Sequence, residues 1–208
     1  MPRGGAVQRR SSTEYTVVVG SCTENRYEGE LFVELRCSRR RICCICGSFG
    51  KYEDRLVFFV GTMQGARGDD AKEFVREATK DLHQLRPRDL VLTALQALVA
   101  EFGVTAIMAP TQTRHIYAGR RRPGRVKADF DQIWQDFGGL LGVHGDFELP
   151  LRTHYKEAGD IQPRKRAETL RRYALKHRIE QQIHDTLNAS EGRLDRATLE
   201  NGHQGGDH

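Results

Sequence analysis

An uninterrupted apolar run, Leu56-Val57-Phe58-Phe59-Val60-Gly61, constrains this chain more than any other stretch. It is too short to be a membrane span, and it has no polar alternation to give it a wet face. It therefore reads as a central strand, apolar on both sides. The segment Thr62-Met63-Gln64-Gly65-Ala66-Arg67-Gly68-Asp69-Asp70 follows and reads as a loop. Two helical patterns come next, then a second apolar run, Val104 to Ala109, and a polar exit, Thr111 to Tyr117. Strand, loop, helices and strand form the skeleton of an α/β unit.

Asp69 or Asp70 is placed to cap a first helix, from Ala71 to about His83. Ala71, Phe74, Val75, Ala78 and Leu82 fall on one of its faces. Pro87 suits the first turn of a second helix, which carries Leu90, Val91, Ala94, Leu95 and Leu98 and closes at Gly103. That helix is apolar enough to belong to the core.

Upstream, Tyr15–Val19, Glu30–Cys37 and Arg41–Gly47 read as strands, the last two as a hairpin. Downstream, 118–128 is a basic loop rich in Gly, Arg and Pro, and Asp129–Phe137 is a short helix with Phe130, Ile133, Trp134 and Phe137 inward. Gly145–Leu151 alternates as a half-buried strand. From Pro163 to about Leu187 runs a basic helix whose apolar members are Leu170, Tyr173, Ala174, Ile179 and Ile183. The expected domain is therefore residues 14–187, with disordered ends at 1–13 and 188–208. The fold class is α/β (α+β): one domain, a mixed central sheet and a C-terminal basic helix.

Two function classes recede on composition. No run approaches a membrane span and the N-terminus has no secretory h-region, so the chain reads as cytoplasmic. The odd count of five cysteines argues against a disulfide framework, and Cys43-Cys44-Ile45-Cys46 lacks the partner pair of a zinc knuckle. It reads as a buried strand that uses cysteine as a small apolar residue, and no metal site is expected. The net charge of +5 sits in arginine clusters at 39–41, 120–122 and 164–172, suited to an anionic partner or simply to a solvated surface.

Several stretches taken together resemble the bacterial VirK/YbjX family, a domain of unknown function. They are Gly61-Thr62-Met63-Gln64-Gly65 with Arg67 to Ala71, Leu85-Arg86-Pro87-Arg88, Ala94 to Leu98, His115-Ile116-Tyr117, Lys127 to Asp131 with Trp134, Gly145 to Leu151, and Lys165-Arg166 with Arg171 to Tyr173. The likeness covers roughly residues 28–185, with Thr111-Gln112 where the family usually carries Ser-Asn. It implies a role in virulence, envelope integrity and resistance to antimicrobial peptides or stress, and no settled reaction.

The chemistry therefore has to come from the residues. The element order is similar to the GNAT acyltransferase fold, including the acyl-homoserine-lactone synthases and toxin-activating acyltransferases. Such folds seat a pantetheine pyrophosphate on backbone N–H groups at a helix N-terminus. One candidate cradle is Gln64, Gly65, Arg67 and Gly68, and a second is Arg86 and Arg88 around Pro87. Each reads equally as an ordinary turn. The donor would be acyl-CoA or an acyl carrier protein. His115 and His83 are the candidate general bases, since imidazole titrates near neutrality. Tyr117 shares a face with His115 if the strand continues and would serve as acid. His83 reads better as a satisfied helix-end residue favoured by the dipole, while for His115 the two readings stand level. Lys127 and Asp129 either close the site on substrate or form a surface ion pair. The competing expectation is a non-catalytic basic module, gripping anionic lipid, lipopolysaccharide precursor or nucleic acid through 119–127 and 163–178. Sequence-specific nucleic-acid binding is not expected, because the arginines have no aromatic stacking partners and no helix-turn-helix signature is present.

Overall fold

A computed structural model describes residues 3–7, 14–21, 28–116, 118 and 128–202. The elements run β1 (Arg3–Val7), β2 (Tyr15–Ser21), β3 (Leu31–Cys37), β4 (Arg40–Tyr52), β5 (Arg55–Gly65), α1 (Ala71–Asp81), α2 (Pro87–Glu101), β6 (Ala106–Pro110), α3 (Phe130–Asp136), β7 (Leu140–Leu141), β8 (Asp146–Leu149) and α4 (Pro163–Gly202). The strands make one mixed sheet in the order β1-β2-β3-β4-β5-β6-β8-β7. All the pairings are antiparallel except β5 with β6, which run parallel and are joined by the α1–α2 crossover. A parallel neighbour requires such a crossover, because a hairpin turn cannot bring the chain back in the same direction.

The central strand is where the apolar run places it. Val57, Phe58 and Val60 of β5 are buried. α2 is the core helix: Leu90, Val91, Leu92, Ala94, Leu95, Leu98 and Val99 are all buried. A helix apolar around most of its circumference needs cover on more than one side. The sheet covers α2 at β3 and β4, and α4 covers it from outside. Each fully buried leucine there contributes about 1.5–3 kcal/mol. Gly103 ends the helix in the left-handed conformation (φ +67°) and donates its N–H to the Ala100 carbonyl.

One boundary and one helix face differ from expectation. β5 does not stop at Gly61. It runs on to Gly65, because β4 is long enough to pair with it throughout, from Tyr52↔Arg55 to Cys43↔Gly65. The seam of α4 is Leu175, Ile179 and Ile183, with Leu187 packed against the core, while Leu170 is exposed. Elements also lie outside 14–187: Arg3–Val7 is the outermost strand on β2, and α4 runs to Gly202.

Within β5 there is an irregularity. Cys46 of β4 faces Thr62, but the next residue, Gly47, faces Val60, so Gly61 is an extra residue, a β-bulge. The consequence is a switch of faces. Val60 and Met63 both join the core, which the two-residue period of a regular strand would forbid. Thr62 and Gln64 are thereby turned to the face away from the helices, beside Cys44 and Cys46 of β4.

Candidate functional site

β6 pairs with β5 only at Val57, Phe58 and Phe59. Pro110 closes β6, and beyond Phe59 the segment Val60–Gly65 is paired, among the described residues, on its β4 side alone. Two turns pack against that half-paired segment. The turn after β6 brings in His115, whose N–H bonds the Thr111 carbonyl at 3.0 Å. The turn before β3 brings in Glu28, whose backbone carbonyl lies directly over Gly61. Its neighbour Glu30 is fixed by donating its N–H to the Gly47 carbonyl at 3.0 Å.

His115 is 4% exposed. Its Nε2 shares a hydrogen bond of 3.2 Å with the Thr62 hydroxyl, and its ring stacks on Phe130 with centroids 4.5 Å apart. Burial lowers its pKa, and the Glu28 carboxylate works in the other direction. The imidazole is therefore neutral at neutral pH, the form that can accept a proton. Glu28 is equally buried and receives a hydrogen bond from Gln64 Nε2 at 2.6 Å. Gln64 Oε1 accepts in turn from Arg41 at 3.3 Å and Arg67 at 3.0 Å. Carboxylate, amide and two guanidinium groups thus form one chain along the strand. Further along the same face, Cys44 and Cys46 bring their sulfurs to 3.6 Å, and Glu34 is buried in an ion pair with Arg36.

α3 holds His115 from the other side. Asp129 caps it by accepting from the Gln132 N–H at 3.0 Å. Gln112 clasps its first turn, accepting from the Phe130 N–H and donating its own N–H to Asp131. Trp134, fully buried, donates its indole N–H to the Pro110 carbonyl at 3.0 Å.

On the helix side of the sheet a cavity of about 610 Å³ opens between the ends of β4 and β5, the α1–α2 corner and α3. Ile42, Cys43, Met63, Val75 and Ile133 supply its apolar wall. Burial pushes the Cys43 thiol up to about 12, so it stays protonated there. Arg76, Lys80, Arg86 and Arg88 also line the cavity, and among the described residues no acidic side chain does. Asp136, outside the lining, receives Arg88 at 2.6 Å and Arg86 at 3.5 Å.

The sequence candidates are thus sorted onto two faces. Gln64, Arg67 and His115 meet on one, and Gly65, Arg86 and Arg88 meet in the cavity on the other. Gln64 and Gly65 are strand residues rather than loop residues. Gly68 turns at φ +108° beside Asp70, and Asp70 does not cap α1 with its side chain, because Arg40 holds its carboxylate. His83 sits in the left-handed turn after α1 (φ 58°) instead of inside the helix. Asp129 serves as a helix cap. Tyr117 and Lys127 lie outside the described residues. The expected strand continuation from His115 to Tyr117 is absent at its start, since β6 ends at Pro110. Sequence reasoning passed over Glu28, Arg41, Thr62, Arg76 and Lys80. Among the described residues, no group of three or more His, Cys, Asp or Glu is arranged to hold a metal ion, and no helix is long and apolar enough to cross a membrane.

A family model described as "Protein of unknown function (DUF535)" matches residues 5–185. The chain is 31% identical over 136 residues to "Uncharacterized protein YbjX" of Escherichia coli, covering 64% of this chain and 41% of that one. It is 25% identical over 174 residues to an "Uncharacterized protein" of Haemophilus influenzae, 84% of this chain and 58% of the relative. A shorter match, 32% over 65 residues, is to "Membrane protein LapB" of Mannheimia haemolytica, 31% of this chain and 28% of that protein. The chain spans between about two fifths and three fifths of the length of the first two of these relatives. No solved structure matches.

Proposed function

The chain belongs to the DUF535 (VirK/YbjX) family, and from that premise we propose that its domain is a GNAT-like transferase of acyl or related groups. In this reading it works in the bacterial cytoplasm, drawing on acyl-CoA or an acyl carrier protein, and serves the adaptation of the envelope in virulence and stress. One observation carries the reading: the parallel strands β5 and β6 part after Phe59, and the freed segment of β5 lies against a buried, neutral histidine. Alternate backbone groups of Val60–Gly65 point away from β4, toward the gap. They are available to polarise a thioester carbonyl, as preorganised N–H donors do in acyl transfer. His115, with the Thr62 hydroxyl in hydrogen-bond contact, takes the proton of the acceptor as it bonds to the thioester carbonyl, and returns it to the thiolate that leaves as the C–S bond breaks. The donor's anionic arm lies at Arg86 and Arg88. The likeness to GNAT proteins rests on the order of elements, with a two-helix crossover between the parallel strands.

A thermal-shift titration of the purified chain tests this reading. Palmitoyl-CoA or acyl carrier protein should stabilise the native state by about 2.7 kcal/mol at a hundred times the dissociation constant. His115→Asn should keep that stabilisation and lose transfer. Stabilisation by anionic lipid or DNA alone, fading steeply with salt, would replace the transferase with a non-catalytic basic module.

A further inference from the structure

We infer that the cavity between the α1–α2 corner and α3 is a binding site for a single-chain acyl amphiphile with an anionic head, its chain against the β4–β5 wall and its head at the cationic rim. This names the substrate class for the proposed transferase and rests on that reading only in calling the amphiphile a donor. The walls argue for the chain. Ile42, Cys43, Met63, Val75 and Ile133 present hydrocarbon and a thiol held protonated, and the volume of about 610 Å³ lies within the range of small-molecule sites, about 300–1,000 Å³. That is more room than an acetyl group fills.

The rim argues for the head. Among the described residues, four basic side chains line the cavity and no acid does. Lys80 is exposed and makes no ion pair among the described residues, so it is free to meet an incoming anion. Arg76 is held by Glu73 at 2.6 Å, while Arg86 reaches Asp136 at 3.5 Å and keeps most of its donors open. The N-terminus of α2, opened by Pro87 with no side-chain cap, faces the same space and adds its dipole to these charges. An apolar pocket alone would take any hydrocarbon. A cationic surface alone would take any polyanion. Their juxtaposition selects a molecule that is both.

Isothermal titration of the full chain with octanoate, dodecanoate, hexadecanoate, palmitoyl-CoA, CoA and inorganic phosphate tests the site. Each methylene that enters the cavity should tighten binding roughly fourfold, until the chain outgrows the space. Lys80→Glu, at an exposed position in the last turn of α1, should weaken every chain-bearing anion by roughly tenfold and lower the melting temperature by no more than a few degrees. Val75→Trp, which fills the cavity, should abolish the chain-length dependence. An affinity flat across the three fatty acids, or unmoved by Lys80→Glu, overturns the inference, whatever becomes of transfer. Conversely, fatty acids that bind with the expected chain dependence while palmitoyl-CoA is never turned over would leave this site standing and sink the transferase. Comparing palmitoyl-CoA with hexadecanoate tells a thioester donor from a free lipid.

Discussion

Gly61→Ala places a methyl group where the fold has no room for one. A Cβ built on Gly61 comes to 1.9 Å from the Glu28 carbonyl oxygen and 2.7 Å from its carbon. The obstacle is backbone, in a turn itself tied to β4 by the Glu30–Gly47 hydrogen bond, so no side-chain rotation relieves it. Either the turn lifts off β5, taking Glu28 away from Gln64, or the bulge is flattened and Thr62 and Gln64 lose their face. Overpacking of this kind costs about 1–3 kcal/mol, and a clash with backbone belongs at the upper end. At 2–4 °C per kcal/mol for a domain of this size, the melting temperature should fall by roughly 6–12 °C. Gly159→Ala is the control, because nothing lies within 4 Å of its Cβ and a surface substitution of that sort stays within about 0.5 kcal/mol. Thermal unfolding followed by circular dichroism, with urea titration alongside, measures both. If Gly61→Ala melts with Gly159→Ala, the turn does not close over the bulge, and the pairing of Glu28 with Gln64 loses its cause.

Two histidines should give opposite pH responses. Burial lowers the pKa of His115, so its neutral form stabilises the fold above the unfolded value of about 6.5, and that contribution is lost as the pH falls from there toward the folded value. His184 is raised by its hydrogen bond to Glu101, so its contribution is complete below about 6.5 and is lost as the pH rises through the folded value. Urea titrations between pH 5 and pH 8 should therefore show less acid-induced loss in His115→Asn and more in His184→Gln; the same slope in both variants refutes the assignment. Trp134→Phe should cost about 2–4 kcal/mol, since it leaves the Pro110 carbonyl without its donor and opens space in a fully buried site. A change under 1 kcal/mol in denaturant titration would mean that α3 is not anchored there.

Much of the architecture is written in local pattern. The Leu56–Gly61 run, the two helical periods and Pro87 locate β5, α1 and α2 without reference to the rest of the chain. The end of β5 is not legible in this way. Thr62-Met63-Gln64-Gly65 has the composition of a loop, and it is held as strand by β4, whose length sets the register. The bulge is equally invisible, because it depends on how Gly47 and Gly61 meet across two strands. Glu28 gains its place from that same bulge, and no spacing in the sequence links the two. His115 was legible as a polar residue leaving a strand end, but its pairing with Tyr117 assumed a strand that Pro110 had already closed. On α4 the seam beginning at Leu175 was obscured because basic residues flank it and carry their own apolar stems.

The divergence of β5 from β6 has a further physical consequence, which weighs on what the covering turns are for. A half-paired strand is a liability, and proteins usually blunt one with charge, proline or an apolar cover. Here the cover of Val60–Gly65 includes an imidazole and a carboxylate, both buried to within a few per cent. Removing such groups from water is unfavourable unless each finds a partner. The partners, Thr62 and Gln64, are supplied by the bulge that turns those two residues away from the core. An apolar cover on an unbulged strand would protect the edge with no such cost. Bulge, glycine clearance and two buried ionisable groups form one arrangement, and the proposed transferase would use it to hold a neutral base at the gap between the parallel strands. Met63, the residue next to Thr62, faces the opposite way and lines the cavity proposed for the ligand chain.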